Sequence, residues 1–242
     1  MAQGLAAWVL EAPDGFGDPG FHTHHAIQLT VSFAGNLALS SGGETLAARE
    51  VAVAADKLHR FEADGLVGFI FVEPESRAGR ALTEQYLRGR SMAEIDHPEF
   101  VRTVAPLRDA FDPGLTQTEM LAIADSAVAA LVGEAAPVLP DTRIRRVIDR
   151  ALTGPELALD EAAAEAGVYL SPSRLRHLFV EQTGLAFKTY LLWRRLMRAL
   201  EAYAEGKSLT ESAHHAGFAD SAHFSRVFKR YFGLPATTLT RI

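Results

Sequence analysis

The sequence contains no cysteine among its 242 residues, and this absence excludes disulfide bonds and thiolate metal sites. Its first residues lack the basic segment and the long apolar segment of a signal peptide. The longest apolar stretch, 120–132, is interrupted by Asp125 and is too short to span a bilayer. Because 48% of the residues are hydrophobic and 22% are charged, we expect a globular protein with a cytoplasmic location and no membrane partner.

The charge is distributed unevenly along the chain. Residues 1–140 carry 9 basic and 19 acidic side chains, a net charge of −10, whereas residues 141–242 carry 15 and 11, a net charge of +4. An acidic first part followed by a basic second part predicts two domains with different partners.

The first part has the pattern of short strands followed by helices. Turn signals rich in glycine, proline and aspartate recur through residues 1–75, and between them the odd positions from His25 to Phe33 form an apolar face. A second apolar run covers residues 66–72. These features predict a small β-sandwich or barrel, with helices over 81–88, 98–110 and 116–132. Residues 134–140 have the composition of a linker.

The second part contains an internal repeat. Residues 174–185 align with residues 223–234 at an offset of 49, so that Leu178 matches Val227 and Gly184 matches Gly233. Each copy begins with a short helix rich in small residues, turns at Gly167 or Gly217, and continues as a capped amphipathic helix. This is the layout of a helix-turn-helix, in which the second helix of each unit can enter a major groove. Two such units joined by a long apolar helix predict a DNA-binding domain.

The run from Lys207 to Pro235, with 171–179 and 183–200, resembles the AraC/XylS family of bacterial transcription regulators. The resemblance implies an α+β two-domain protein: a cupin-like sensing or dimerisation domain over 1–133, the linker over 134–140, and a double helix-turn-helix domain over 141–242. It implies double-stranded DNA, a small-molecule effector and RNA polymerase as partners. The family usually has an apolar residue where Ser212 stands.

Groove-facing positions follow from the apolar positions of the two recognition helices, because the polar face lies opposite the buried one. The predicted base-reading residues are Ser173, Arg174, Arg176, His177, Ser221, Ala222, His223, Ser225 and Arg226. The predicted phosphate contacts, which include the two helix N-termini, are Ser171, Lys188, Asp220, Lys229 and Arg230.

The first domain carries one partial motif. His22, His24, Gln28 and Gly35 follow the cupin spacing with glutamine in place of glutamate, and His59 stands where a second cupin motif supplies a histidine. The side chains of His22, His24 and Gln28 share one strand face by parity. Three interpretations stay open: a small-molecule pocket lined by His22, His24, Gln28 and His59, a divalent metal site on the three histidines, or purely structural histidines.

Two further alternatives remain at the level of the whole chain. One is a metal-dependent cupin enzyme whose helical tail binds a partner, and the other is a DNA-binding protein in which the first domain only dimerises. The helix over 116–132, with Leu121, Val128, Leu131 and Val132, either pairs with a second copy in a homodimer or packs inside its own domain.

Overall fold

The structure is a computed structural model that describes residues 5–12, 20–110, 114–133, 141–153 and 157–241. The predicted linker over 134–140 lies outside these ranges, so the domain boundaries stay predictions. The sheet-rich first part and the helical second part confirm the predicted α+β fold.

Within the described residues, the first part forms two antiparallel sheets. One sheet has five strands in the order β1-β7-β2-β5-β8, and the other has three in the order β4-β3-β6. The strands are β1 Leu5–Ala12, β2 Ile27–Ser32, β3 Leu37–Ser41, β4 Glu44–Ala47, β5 Glu50–Val53, β6 His59–Ala63, β7 Gly65–Val72 and β8 Met92–Glu94. The short strand β8 was missed in the sequence, because three residues are too few to show alternation.

Strand β2 lies inside the larger sheet, between β5 and β7, and all six of its residues are buried. Ile27, Leu29 and Val31 face the flanking helices and join one hydrophobic cluster with them. The side chains of Gln28 and Thr30 alternate to the opposite face, as period-2 geometry requires. The apolar run over 66–72 is β7, which is paired on both sides and contributes Phe69 and Phe71 to the second cluster.

Three helices cover the outer face of the larger sheet: α1 Arg77–Leu82, α2 Pro98–Val104 and α3 Gln117–Val132. Helix α3 begins with a capping box between Thr116 and Glu119. The sequence left open whether the apolar stripe of α3 pairs with a second copy or packs internally. Two of its residues, Val128 and Leu131, are buried in the cluster that includes Phe100 and Ile70. Val132 packs against the same cluster, whereas Leu121 is half-buried and lies outside it. Val128 and Leu131 therefore pack inside their own domain.

The second part consists, where it is described, of helices and their turns: α4 Thr142–Thr153, α5 Leu159–Glu165, α6 Pro172–Thr183, α7 Phe187–Ala204, α8 Leu209–His215 and α9 Ser221–Phe232. The side chains of Ser171, Ser208 and Asp220 accept the N-cap hydrogen bonds of α6, α8 and α9. None of the described helices is long and apolar enough to cross a bilayer.

The two helix-turn-helix units differ in how their cores are built. The first unit has its own cluster, centred on Ile144, Phe179 and Tyr190. The second unit shares a cluster with the interior of the sandwich, where Phe224 and Phe232 join Phe61 and Phe71. The described parts of the two domains are therefore packed together through apolar side chains.

Candidate nucleic-acid interface and effector site

Helix α6 has one buried and one exposed face. Leu175, Leu178 and Phe179 are at most 3% exposed and pack against α4, α5 and α7. Ser171 Oγ accepts a hydrogen bond from the backbone N–H of Arg174 at 3.4 Å, and the helix ends at Gly184 in the left-handed conformation. All four base-reading residues predicted on this helix are exposed: Ser173, Arg174, Arg176 and His177.

Helix α9 repeats this arrangement. The carboxylate of Asp220 accepts the backbone N–H of His223 at 2.5 Å, and Phe224, Val227 and Phe228 are buried below the helix. Ala222 and Arg226 are exposed. The other three predicted readers, Ser221, His223 and Ser225, are half-buried: the His223 ring packs 5.3 Å from that of Phe218, and Ser225 Oγ donates to Ser221 O at 2.8 Å.

The residues predicted to contact phosphates are all exposed: Ser171, Lys188, Asp220, Lys229 and Arg230. Since the Asp220 carboxylate is itself negative, this residue can help a phosphate only through the helix N-terminus that it caps. Sequence reasoning missed Tyr169, which lies in the turn before α6 and is 86% exposed. The signal that the sequence offered was a large aromatic residue in the turn of the first helix-turn-helix unit.

The four residues predicted from the partial cupin motif do come together. His22 and His59 form an antiparallel bridge in which each backbone N–H donates to the other's carbonyl at 2.9 Å. Their rings lie 4.4 Å apart between centroids, and the His24 ring lies 4.8 Å from that of His59. Gln28 reaches the same cluster, with Oε1 at 2.9 Å from His24 Nε2.

The cluster consists of uncharged imidazoles. Burial lowers the pKa of His59 to about 4, and burial together with its histidine neighbours holds the pKa of His24 well below the ordinary value. Burial also lowers the pKa of His22. Each ring therefore keeps one nitrogen with a free lone pair, which is the form that binds metals and accepts hydrogen bonds.

His25 forms a separate buried contact that the sequence did not predict. Its Nδ1 lies 3.0 Å from Asp56 Oδ2, and its Nε2 lies 3.3 Å from Glu75 Oε2. Burial alone would lower the pKa of His25, but the two carboxylates raise it to about 9. Three histidines within four residues gave no sequence signal for this pairing, because both partners are distant in the chain.

The His25 network lies at the contact between the two domains. Its ring packs 6.3 Å from Tyr190 and 6.4 Å from Trp193, both on α7. A Cβ added to Gly184 at the end of α6 would lie 3.4 Å from Asp56 Oδ2. The first recognition helix therefore ends directly on a residue of the N-terminal domain.

Further contacts join the domains on both sides of this network. Trp8 and Phe71 of the sandwich lie 5.1 and 5.5 Å from the ring of Phe232 on α9. Arg194 on α7 forms an ion pair with Glu73, and Arg80 Nη2 donates to the carbonyl of Gln182 at 3.2 Å. Both recognition helices are thus linked to the N-terminal domain.

Comparison with known proteins agrees with this geometry. A family model described as a helix-turn-helix domain matches residues 163–242, the part that holds the repeat. The C-terminal part of the chain is therefore similar to the helix-turn-helix domains of transcription regulators. Its relatives include the uncharacterized transcriptional regulatory protein YesN of Bacillus subtilis, 33% identical over 103 residues, which are 41% of this chain and 28% of YesN.

Two transcriptional activators are similar to the chain in the same way. RhaS of Escherichia coli O157:H7 is 42% identical over 64 residues, 26% of this chain and 23% of RhaS. NphR of a Rhodococcus species is 33% identical over 93 residues, 38% of this chain and 27% of NphR. The aligned segments thus span less than a third of each relative.

The fold of the whole chain is similar to that of a solved structure. The crystal structure of ToxT from Vibrio cholerae O395 matches with a TM-score of 0.60 at 12% identity, covering 98% of both chains. A structure of ToxT from strain SCE256 with a bound unsaturated fatty acid matches with a TM-score of 0.56 at 13% identity, covering 100% of this chain and 98% of that one. The two-domain order found here is therefore that of a known fold.

Proposed function

We propose that the chain is a sequence-specific DNA-binding transcription regulator that uses α6 and α9 as its recognition helices. The observation that carries the proposal is the repeated design of these helices: each is capped at its N-terminus, buries one apolar face and exposes arginine on the other. The family match over residues 163–242 and the regulatory relatives support it.

The exposed side chains suggest which residues would read bases and which would bind phosphates. An arginine can form two hydrogen bonds with the major-groove edge of guanine, and Arg176 and Arg226, one exposed on each helix, would take this role. Lys188, Lys229 and Arg230 would bind phosphates, which fix the register without reading sequence. Tyr169 adds a hydroxyl donor beside the N-terminus of α6.

The N-terminal domain is proposed to hold an effector that controls DNA binding. The fatty acid in the ToxT structure shows that a protein of this fold can carry a ligand, and the contacts of α6, α7 and α9 with the sandwich offer a route to the recognition helices. Since the named relatives are regulators, we infer that the chain is not an enzyme.

The experiment is selection of binding sites from random duplex DNA with the full-length chain, repeated at two salt concentrations. We expect an enriched motif whose affinity falls with salt, because phosphate binding releases counterions. Recovery of no motif at low salt, with only uniform binding, would contradict sequence-specific recognition.

RNA polymerase and a second copy of the chain are further proposed partners. A regulator of transcription acts through the polymerase, whereas dimerisation would have to use a surface other than Val128 and Leu131 of α3, which are buried. Sedimentation of the chain, alone and with its selected DNA, measures dimerisation directly.

A further inference from the structure

The histidine cluster has the outer contacts of a metal site. Nδ1 of His22 lies 3.1 Å from the carbonyl oxygen of Gly20, Nδ1 of His24 lies 3.1 Å from that of Ala26, and Nδ1 of His59 lies 2.8 Å from that of Lys57. A carbonyl oxygen only accepts, so Nδ1 carries the hydrogen in each neutral ring and Nε2 keeps its lone pair. Metal-binding histidines in proteins are oriented by this kind of contact.

Two of the Nε2 atoms are not satisfied by a donor in this tautomer. His59 Nε2 is buried and has no hydrogen-bond partner. His24 Nε2 faces Gln28 Oε1 at 2.9 Å, while Gln28 Nε2 donates to Thr30 Oγ1 at 2.8 Å. With the hydrogen on Nδ1, the Nε2 lone pair of His24 and the Gln28 oxygen both point to the same place, where a cation would be bound by both.

We propose that His22, His24 and His59 bind a divalent transition-metal ion, with Gln28 Oε1 as a further ligand. One ring nitrogen of each histidine lies within 4.8 Å of the other two. Neutral imidazoles with one amide oxygen suit Zn²⁺, Ni²⁺ or Fe²⁺, whereas Ca²⁺ and Mg²⁺ prefer oxygen ligands throughout. The rings pack so closely, at 4.4 to 5.9 Å between centroids, that the space between them fits an ion better than an organic molecule.

The position of His24 gives the ion a regulatory consequence, which rests on the proposed function. The His24 ring stacks 6.3 Å from Trp193 and lies 5.9 Å from Phe232, and both partners belong to the DNA-binding domain. Coordination would fix the orientation of His24 and so change its contact with α7 and α9. We infer that the metal ion is an effector of DNA binding.

The ion site is tested by calorimetric titration of the chelator-treated, full-length chain with Zn²⁺ and by the absorption spectrum with Co²⁺. We expect one ion per chain and a Co²⁺ spectrum of nitrogen and oxygen ligands, since the chain has no cysteine. His24→Gln and His59→Gln should each weaken binding at least tenfold, because losing a residue that only orients a ligand already costs about that much. The control His215→Gln, at an exposed position on α8, should bind as the wild type does.

Two results would overturn the site: no stoichiometric binding by the wild type, or unchanged binding in both variants. Because a buried substitution can unfold a protein, the wild type provides an independent test. Zn²⁺ at a hundredfold excess over its Kd should raise Tm by roughly 5–10 °C. A Tm that does not move with Zn²⁺ would also contradict the proposal.

The regulatory role is tested separately. In the variant Trp8→Phe the remaining tryptophan is Trp193, since the chain has two, so its emission reports on the contact with His24. We expect Zn²⁺ to change this emission and to change the affinity for the selected DNA about tenfold. Bound Zn²⁺ with unchanged emission and unchanged DNA affinity would overturn the coupling and leave the ion site. Absence of DNA binding with and without Zn²⁺ would instead contradict the proposed function.

Discussion

Substitutions of single side chains on α6 and α9 can separate the proposed base reading from the proposed phosphate binding. Arg226 is exposed on α9, with the buried Val227 and Phe228 next to it in sequence. Arg226→Ala should weaken binding to the selected site by about 1–3 kcal/mol, the value of a bidentate contact with guanine, and leave Tm unchanged. Fluorescence anisotropy with labelled DNA measures the loss, and Arg102→Ala, an exposed arginine on α2, is the control.

A contact with phosphate has a different signature. Lys229→Ala should reduce affinity for specific and scrambled DNA by similar factors and lower the slope of log K against log salt by about one. The measurement is a salt titration of both duplexes. A loss confined to the specific duplex would place Lys229 among the base readers instead.

Ser212 is a buried polar residue at a position where the family that the sequence resembles usually has an apolar one. It is 0% exposed, and its hydroxyl has no hydrogen-bond partner within the described structure. Ser212→Ala should therefore raise the free energy of unfolding by about 1 kcal/mol, because it removes an unsatisfied polar group from the core of the second unit. Urea denaturation measures the change, and Ser173→Ala, on the exposed face of α6, should have almost none. A destabilised Ser212→Ala variant would contradict the assignment.

At the scale of elements, the repeat could be recognised because its physical requirements are local. Caps at Ser171 and Asp220, glycines at the turns, and apolar residues three and four apart specify helices without knowledge of the rest of the chain. Strand β2 could be predicted for the same reason, because the alternation of its residues alone places Gln28 and Leu29 on opposite faces.

The turn of the second unit gives a prediction at this scale. Gly217 has φ of 85°, a left-handed conformation that costs an ordinary residue roughly 1–2 kcal/mol. Gly217→Ala should lower stability by about that amount, and Gly217→Asn by less, because asparagine tolerates this region better. Thermal denaturation of the two variants compares them. Equal stability of Gly217→Ala and the wild type would show that the turn can relax.

At the scale of the whole molecule, the contacts between the two domains could not be predicted from sequence patterns. His25, Asp56 and Glu75 meet at the domain contact although no spacing connects them, and the second unit shares its core with the sandwich rather than closing its own. Such contacts depend on how complete domains pack, so neither periodicity nor capping predicts them. The histidine cluster lies between these cases: its residues meet as predicted, but only Gln28 lies in β2, so strand parity does not explain the position of His22 and His24.

The ion pair between Glu73 and Arg194 tests this packing. Both side chains are mostly buried, at 14% and 22% exposed. In a double-mutant cycle of Glu73→Gln and Arg194→Gln we expect a coupling energy of about 1 kcal/mol or more in the free energy of unfolding, since each single change leaves a partly buried charge unpaired. Strictly additive effects would show that the domains do not hold this contact in solution.

The most direct measurement of the central claim compares the affinity of the full-length chain for its selected site with that for a scrambled duplex at physiological salt. The account predicts a preference of at least about 10³-fold for the selected site. It also predicts that the double substitution Arg176→Ala and Arg226→Ala removes most of this preference without changing Tm. A folded double variant that keeps the full preference would contradict the assignment of α6 and α9 as the helices that read DNA.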